Sequence, residues 1–138
     1  MVITHEFGLT AKGFCDVHNI TEAVTGAVRA SGLQNGIVTV FTPSATSAIT
    51  TVEYESGMLA DLADFFERVA AKAWDYKHNQ RWHDGNGFAH VRASLLGSSI
   101  TVPVVDGRLA LGTWQQIAFI DFDNRSRSRQ VIVQMIGE

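Results

Sequence analysis

The chain has 138 residues, 46% of them apolar and 18% charged, with a formal net charge of −3. That length suits one domain able to bury a core without staples, and that composition excludes a disordered chain. The acidic balance disfavours a nucleic-acid partner, which usually calls for a net basic face.

Val2–Phe7 opens as a strand. Ile20, Ala23, Val24, Ala27 and Val28 then fall at helical spacing. Asn19 and Glu22 suit a capping box for that helix, and Gly32 suits its stop. Asn35-Gly36 turns into Ile37–Phe41, a β-branched run. Pro43-Ser44 breaks it, and Ala48–Tyr54 is expected as a second strand paired with it. Leu59, Leu62, Phe66, Val69 and Ala73 form one apolar stripe, predicting a helix over Met58–Ala73. From Trp74 to Gly87 the periodicity vanishes, and a long loop is expected. It carries two tryptophans and two histidines, more than a mere connector needs. After a short segment, Ala89–Leu96, Asp106-Gly107 signals a hairpin between Ser99–Val105 and Arg108–Leu111. Trp114–Phe122 is apolar in both alternation phases and reads as a central strand covered on both faces. Asp123-Asn124 turns the chain into a last strand, Gln130–Ile136. The sum is an α+β fold, one domain over 1–138, with a mostly antiparallel or mixed sheet and two main helices.

The chain has one cysteine, Cys15, which fits a reducing compartment. Met1–Glu6 lacks the basic-then-apolar start of a secretory signal. No apolar stretch approaches the roughly 20 residues of a membrane span. A cytoplasmic protein with no membrane partner is expected.

His78-Asn79-Gln80-Arg81-Trp82-His83-Asp84-Gly85-Asn86-Gly87-Phe88-Ala89-His90 is the strongest chemical signal. Neutral imidazoles with a nearby carboxylate suit zinc or a similar divalent ion. The spacing matches no standard zinc motif, and the plainer explanation is a turn-rich loop in which each histidine makes ordinary hydrogen bonds. Glu53 ends an apolar strand, where a carboxylate can act as a general base. Glu55 reads instead as a favourable charge at the next helix start. Arg125, Arg127 and Arg129 alternate, as a phosphate grip or as a solvated edge. Ser98, after Gly97, offers a hydroxyl to an anion.

Glu53-Tyr54-Glu55, Asp84-Gly85-Asn86, Ala89-His90, Leu95-Leu96-Gly97-Ser98-Ser99, Asp106-Gly107-Arg108-Leu109 and Leu111-Gly112-Thr113-Trp114-Gln115-Gln116 occur in the order found in the YjbQ-like family. The chain resembles that family over nearly its whole length. Its members are described as secondary thiamine-phosphate synthases. The resemblance implies a small α+β fold, a homotrimer and pockets near subunit boundaries. It also implies a polar site of Glu53, His78, Asp84, Asn86 and His90, with His83 as an additional histidine. In one respect the chain departs from the pattern: Pro43-Ser44-Ala45 stands where many relatives have Pro-His-Thr.

The implied reaction joins a hydroxymethylpyrimidine diphosphate to a thiazole phosphate and releases pyrophosphate. On this reading Glu53, Asp84 and Asn86 are catalytic, Ser98, Arg127 and Arg129 hold phosphate, and Mg²⁺ assists. The alternative is a hydrolase in which His78, His83 and His90 hold a divalent ion such as Zn²⁺ and Glu53 activates its water. A third reading is a small-ligand-binding trimer without catalysis.

Overall fold

The computed structural model describes all residues 1–138. Eight strands and four helices follow one another as β1 (Val2–Ala11), β2 (Asp16–Asn19), α1 (Thr21–Ser31), β3 (Gly36–Phe41), β4 (Ser47–Val52), α2 (Ser56–Val69), α3 (Lys77–Trp82), α4 (Gly87–Leu96), β5 (Ser99–Val105), β6 (Arg108–Leu109), β7 (Gln116–Asp121) and β8 (Arg127–Gly137). Every strand pair is antiparallel. One sheet has five strands in the order β1-β8-β3-β5-β6, and the other has three in the order β2-β7-β4.

The three-stranded sheet is buried on both faces. One face contributes Ile49, Ile117 and Phe119 to a core shared with Val24 and Val28 of α1 and with Val38, Val102 and Val133 of the larger sheet. The other face contributes Ala48, Ile120 and Phe122, which pack on Phe66 of α2 and Phe88, Ala89 and Ala93 of α4. This double burial is why β7 is apolar in both phases, as its sequence implies. The outer face of the five-stranded sheet carries no helix. Val2, Ile136, Ile37 and Pro103 form one cross-strand row on it.

Several expectations need correction. β4 pairs with β7 in the smaller sheet and not with β3. Glycine-free Pro43-Ser44-Ala45-Thr46 carries the chain from one sheet to the other, where β4 gives Ala48 to one core and Ile49 to the other. Besides the two expected helices, α1 and α2, two more form: the expected loop holds α3, and Ala89–Leu96 lies within α4. α4 hides from periodicity because Phe88, Ala89, Val91, Ala93, Leu95 and Leu96 point to all sides. α2 ends at Val69 because Ala70 leaves helical geometry, and the buried Arg92 Nε donates to its carbonyl at 3.0 Å. α1 starts without a side-chain cap bond; Asn19 Oδ1 accepts instead from Thr21 N at 3.1 Å, just outside it. The Asp106-Gly107 hairpin forms as expected, with φ of 49° and 74°, the left-handed pair that its turn type demands.

No helix is long and apolar enough to cross a membrane.

Candidate functional site

At one end of the three-stranded sheet, two aspartates lie at alternate positions as β7 closes. Asp121 and Asp123 are both buried. β8 returns beside them with arginines at alternate positions. Arg129 Nε donates to Asp121 Oδ2 at 2.6 Å, and its outer nitrogens reach Asp121 Oδ1 at 3.2 Å, Thr46 Oγ1 at 2.8 Å and Ser44 Oγ at 3.0 Å. Arg127 Nε donates to Asp123 Oδ2 at 2.7 Å. The expected phosphate grip of Arg127 and Arg129 is thus turned inward, onto carboxylates of the same chain. Arg125 remains exposed on the turn.

Asp123 gathers the neighbouring segments. Its Oδ1 accepts from Asn124 N at 2.8 Å and from Asn86 Nδ2 at 3.2 Å, and its Oδ2 accepts from Thr46 Oγ1 at 3.1 Å. Burial pushes this carboxyl up, but the hydrogen bonds from Asn124, Asn86, Thr46 and Arg127 outweigh it and hold Asp123 below the usual carboxylate range. A strap of three left-handed residues, Gly13, Phe14 and Cys15, lies along the same turn, with φ of 85°, 64° and 101°. Phe14 N donates to Asp123 O at 2.8 Å, and Cys15 N to Asp121 O at 3.0 Å.

α4 begins at Asn86 and carries His90 one turn on. Its imidazole meets that of His78 from α3, ring centroids 4.2 Å apart. The two helices approach closely because Gly87 has no side chain: a Cβ there would lie 2.6 Å from Tyr76 Cβ. Burial and the neighbouring His78 depress the His90 pKa, against the opposing pull of Asp123 and Asp84. His90 is therefore a neutral imidazole near pH 7. Asp84 Oδ1 stands 3.6 Å from His78 Nδ1, beyond hydrogen-bond reach. His78 Nδ1 and Asn86 Oδ1 are both buried without a hydrogen-bond partner.

His90 opens onto a cavity of about 250 Å³ lined by Ser44, Ala45, Ser47, Ala93, Ser94, Gly97 and Ser98. Ser98 is thus brought to His90, as are Asp84, Asn86 and His78 to one another. His83 and Glu53 are not part of this arrangement. His83 caps α3 in a left-handed conformation and is exposed. No group of three or more histidines, cysteines or carboxylates is arranged to hold a metal ion. Within one chain His78 and His90 are in contact, while His83 is the exposed C-cap of α3 and is not grouped with them.

Glu53 stands beyond the far end of β4. Six residue steps of largely extended chain separate it from Ser47, roughly 20 Å. It faces a second cavity, of about 380 Å³, with Asn19, Tyr54, Glu55, Thr113, Trp114 and Gln116. Glu55 accepts from Gly57 N at 2.8 Å and from Met58 N, and so caps α2, in keeping with its expected place at a helix start. Sequence reasoning missed Asp121, Asp123, Ser44, Thr46 and Ser47. A signal for the aspartates was present: an acid-x-acid pair, a short turn, then arginines at the same period.

Two sheets packed with flanking helices, and a histidine pair beside a buried aspartate–arginine network, define a small α+β protein with a polar pocket at one sheet end. The UPF0047 protein YjbQ-like family model matches residues 5–138, and the chain belongs to that family. A UPF0047 protein of Archaeoglobus fulgidus is 41% identical over 88% of this chain and 91% of its own length. One from Methanothermobacter thermautotrophicus is 39% identical over 99% of this chain and 94% of its own. Among solved structures, an Aeropyrum pernix protein matches with a TM-score of 0.92 at 32% identity, covering 99% of both chains. A YjbQ/UPF0047 protein of Clostridium acetobutylicum matches at 0.87 with 38% identity, covering 96% of this chain and 99% of its own.

Proposed function

We propose that this chain is a cytoplasmic transferase of the thiamine-phosphate-synthase type, acting on small phosphorylated substrates in the pocket at His90. The observation that supports it is the neutral His90 imidazole opening onto a cavity ringed by Ser44, Ser47, Ser94 and Ser98. Hydroxyls of this kind donate hydrogen bonds to phosphate oxygens, and a neutral imidazole donates one from its N–H. In the reaction, the thiazole nitrogen forms a bond to the methylene carbon of the pyrimidine. The bond from that carbon to the diphosphate oxygen breaks, and pyrophosphate leaves with the electron pair. The nitrogen becomes cationic, so no proton need be removed. The serines orient the phosphates, and the His90 N–H stabilises the departing oxygen. No step is routed through a metal held by the histidines.

A metal-dependent hydrolase would need Glu53 beside the histidines, and Glu53 lies at the other end of β4 within the chain. The family resemblance also supports a homotrimer, as does the uncovered outer face of the five-stranded sheet, where Val2, Ile37 and Ile136 are exposed in one row. Light scattering at micromolar protein checks this, and a monomer mass removes it.

The decisive assay supplies hydroxymethylpyrimidine diphosphate, thiazole phosphate and Mg²⁺ and follows thiamine phosphate by mass spectrometry. Wild type should form product, and His90→Ala should slow it by about a hundredfold, a typical loss for one positioned proton donor. Product no higher than in a protein-free control ends the transferase reading. Ligand binding without turnover would leave a non-enzymatic binder.

A further inference from the structure

The cavity at Glu53 is built at the opposite end of the three-stranded sheet from the histidines. β2 ends there at Asn19, β4 ends at Val52, and β7 begins at Gln116. Asn19 Nδ2 donates to Gln116 Oε1 at 3.3 Å across the strand ends. Tyr54 folds over this edge, its hydroxyl donating to Val17 O at 3.1 Å. The β6–β7 connection, Ala110–Gln115, is pinned in turn. Gly112 N donates to Gln115 Oε1 at 3.0 Å, and Gln115 Nε2 to Thr51 Oγ1 at 3.2 Å.

This fixed loop presents Trp114 to solvent. Trp114 is 72% exposed and Tyr54 is 41% exposed. A tryptophan held outward by an ordered loop forgoes burial that its size would otherwise reward. Glu53 stands beside it with no hydrogen bond or ion pair to its carboxylate. Glu55 is committed to the α2 cap. No lysine or arginine lines the cavity.

An exposed indole face, a phenol and one uncompensated carboxylate form a recognition set of definite sign. The ring face attracts a cation, the carboxylate neutralises it, and the indole offers a flat ligand a stacking surface. No cationic side chain is there to hold a phosphate. We propose that the Glu53–Tyr54–Trp114 cavity is a second binding site and that its ligand is a flat heteroaromatic cation. Within one chain it lies at the other end of the sheet from the His90 pocket, and it does not depend on the transferase reading. If that reading holds as well, the thiazolium ring of the product belongs to the same chemical class.

The test uses the full-length protein, ¹⁵N-labelled, with 1-methylnicotinamide as the cationic probe and nicotinamide as its uncharged counterpart. The chain has three tryptophans, hence three indole N–H signals, and Trp114→Phe identifies its own. The cation should shift that signal saturably, while nicotinamide binds about tenfold more weakly. Glu53→Gln should weaken the cation to about the level of nicotinamide and leave nicotinamide unchanged. Glu53→Gln changes no core residue, and the unshifted remainder of its spectrum verifies that it folds. Three results overturn the site: no saturable shift, equal binding of the two probes, or cation binding unaltered by Glu53→Gln. A change in assembly mass on Trp114→Ala, with no probe shift in wild type, also overturns it and makes Trp114 a subunit contact. Because the titration needs no turnover, a failed transferase assay leaves it standing. Product formation without cation binding would end this inference alone.

Discussion

Arg129 holds Asp121 side-on, Nε 2.6 Å from one carboxylate oxygen and an outer nitrogen 3.2 Å from the other. The two residues belong to different sheets, so the pair closes the seam between β8 and β7. Asp121 is fully buried and the Arg129 side chain is only 12% exposed. Such a pair adds little over well-packed apolar residues, yet losing one member strands a buried charge. Arg129→Ala should therefore lower stability by about 3–5 kcal/mol in urea unfolding. A loss below about 1 kcal/mol would place this pair with exposed ion pairs.

Much of this seam was written in the sequence without being readable there. The alternation of Asp121 with Asp123 and of Arg127 with Arg129 is visible. That they face one another depends on the chain turning at Asn124 and on β7 and β8 lying in different sheets. The strands with clear alternation, and the hairpin at Asp106-Gly107, were legible because local pattern decides them. The helix α4 was not, since its buried face includes the charged Arg92 while Val91 and Leu95 are apolar and exposed, so its hydrophobic pattern does not follow its burial. The same holds for the site. His78, Asp84, Asn86 and His90 cluster in the sequence and in space. Glu53 does not join them, because strand length separates groups that a list of polar residues places together.

Arg92 tests a different burial. It is almost wholly inside, pairs with Glu67 at 3.0 Å and faces the rings of Phe66, Phe88 and Phe122. Its partner Glu67 is nearly half exposed, so solvent can take over that carboxylate. Arg92→Met fills the volume without the charge and should change stability by less than about 1.5 kcal/mol. Arg92→Ala leaves a cavity among the aromatics and should lose about 3–5 kcal/mol, as other large core truncations do. Equal losses for the two variants would show that the charge, not the packing, matters at this position.

The strap over the Asp121–Asp123 turn gives a steric prediction. Gly13 has φ of 85°, and a Cβ there would sit 2.1 Å from Asp123 O, a backbone atom that cannot step aside. Gly13→Ala combines that clash with a left-handed alanine and should lose at least about 2 kcal/mol. Gly26 in α1 is the control, with nothing within 4 Å of its added Cβ. Gly26→Ala should stabilise the protein by roughly 0.5–1 kcal/mol, as expected at an open helical site. Thermal unfolding of the two variants should move in opposite directions. Parallel shifts would mean that the strap relaxes to accommodate the methyl group.

The last expectation concerns pH. Burial first, and His78 second, lower the His90 pKa in the folded protein below its unfolded value near 6.5. The unfolded chain therefore binds this proton at a higher pH than the folded chain does. His90 contributes stability above about pH 6.5, and that contribution is lost as pH falls through its depressed folded value. Asp123 is depressed too, but its contribution is lost only below the ordinary carboxylate value near 3.8. The two windows are thus separate. Urea midpoints measured between about pH 7.5 and pH 5 should fall for wild type. In His90→Asn the fall should be shallower, because the neutral amide has no proton to gain. Identical slopes for wild type and His90→Asn would mean that the imidazole titrates alike in the folded and unfolded chains, and the description of His90 as a desolvated neutral group would fail.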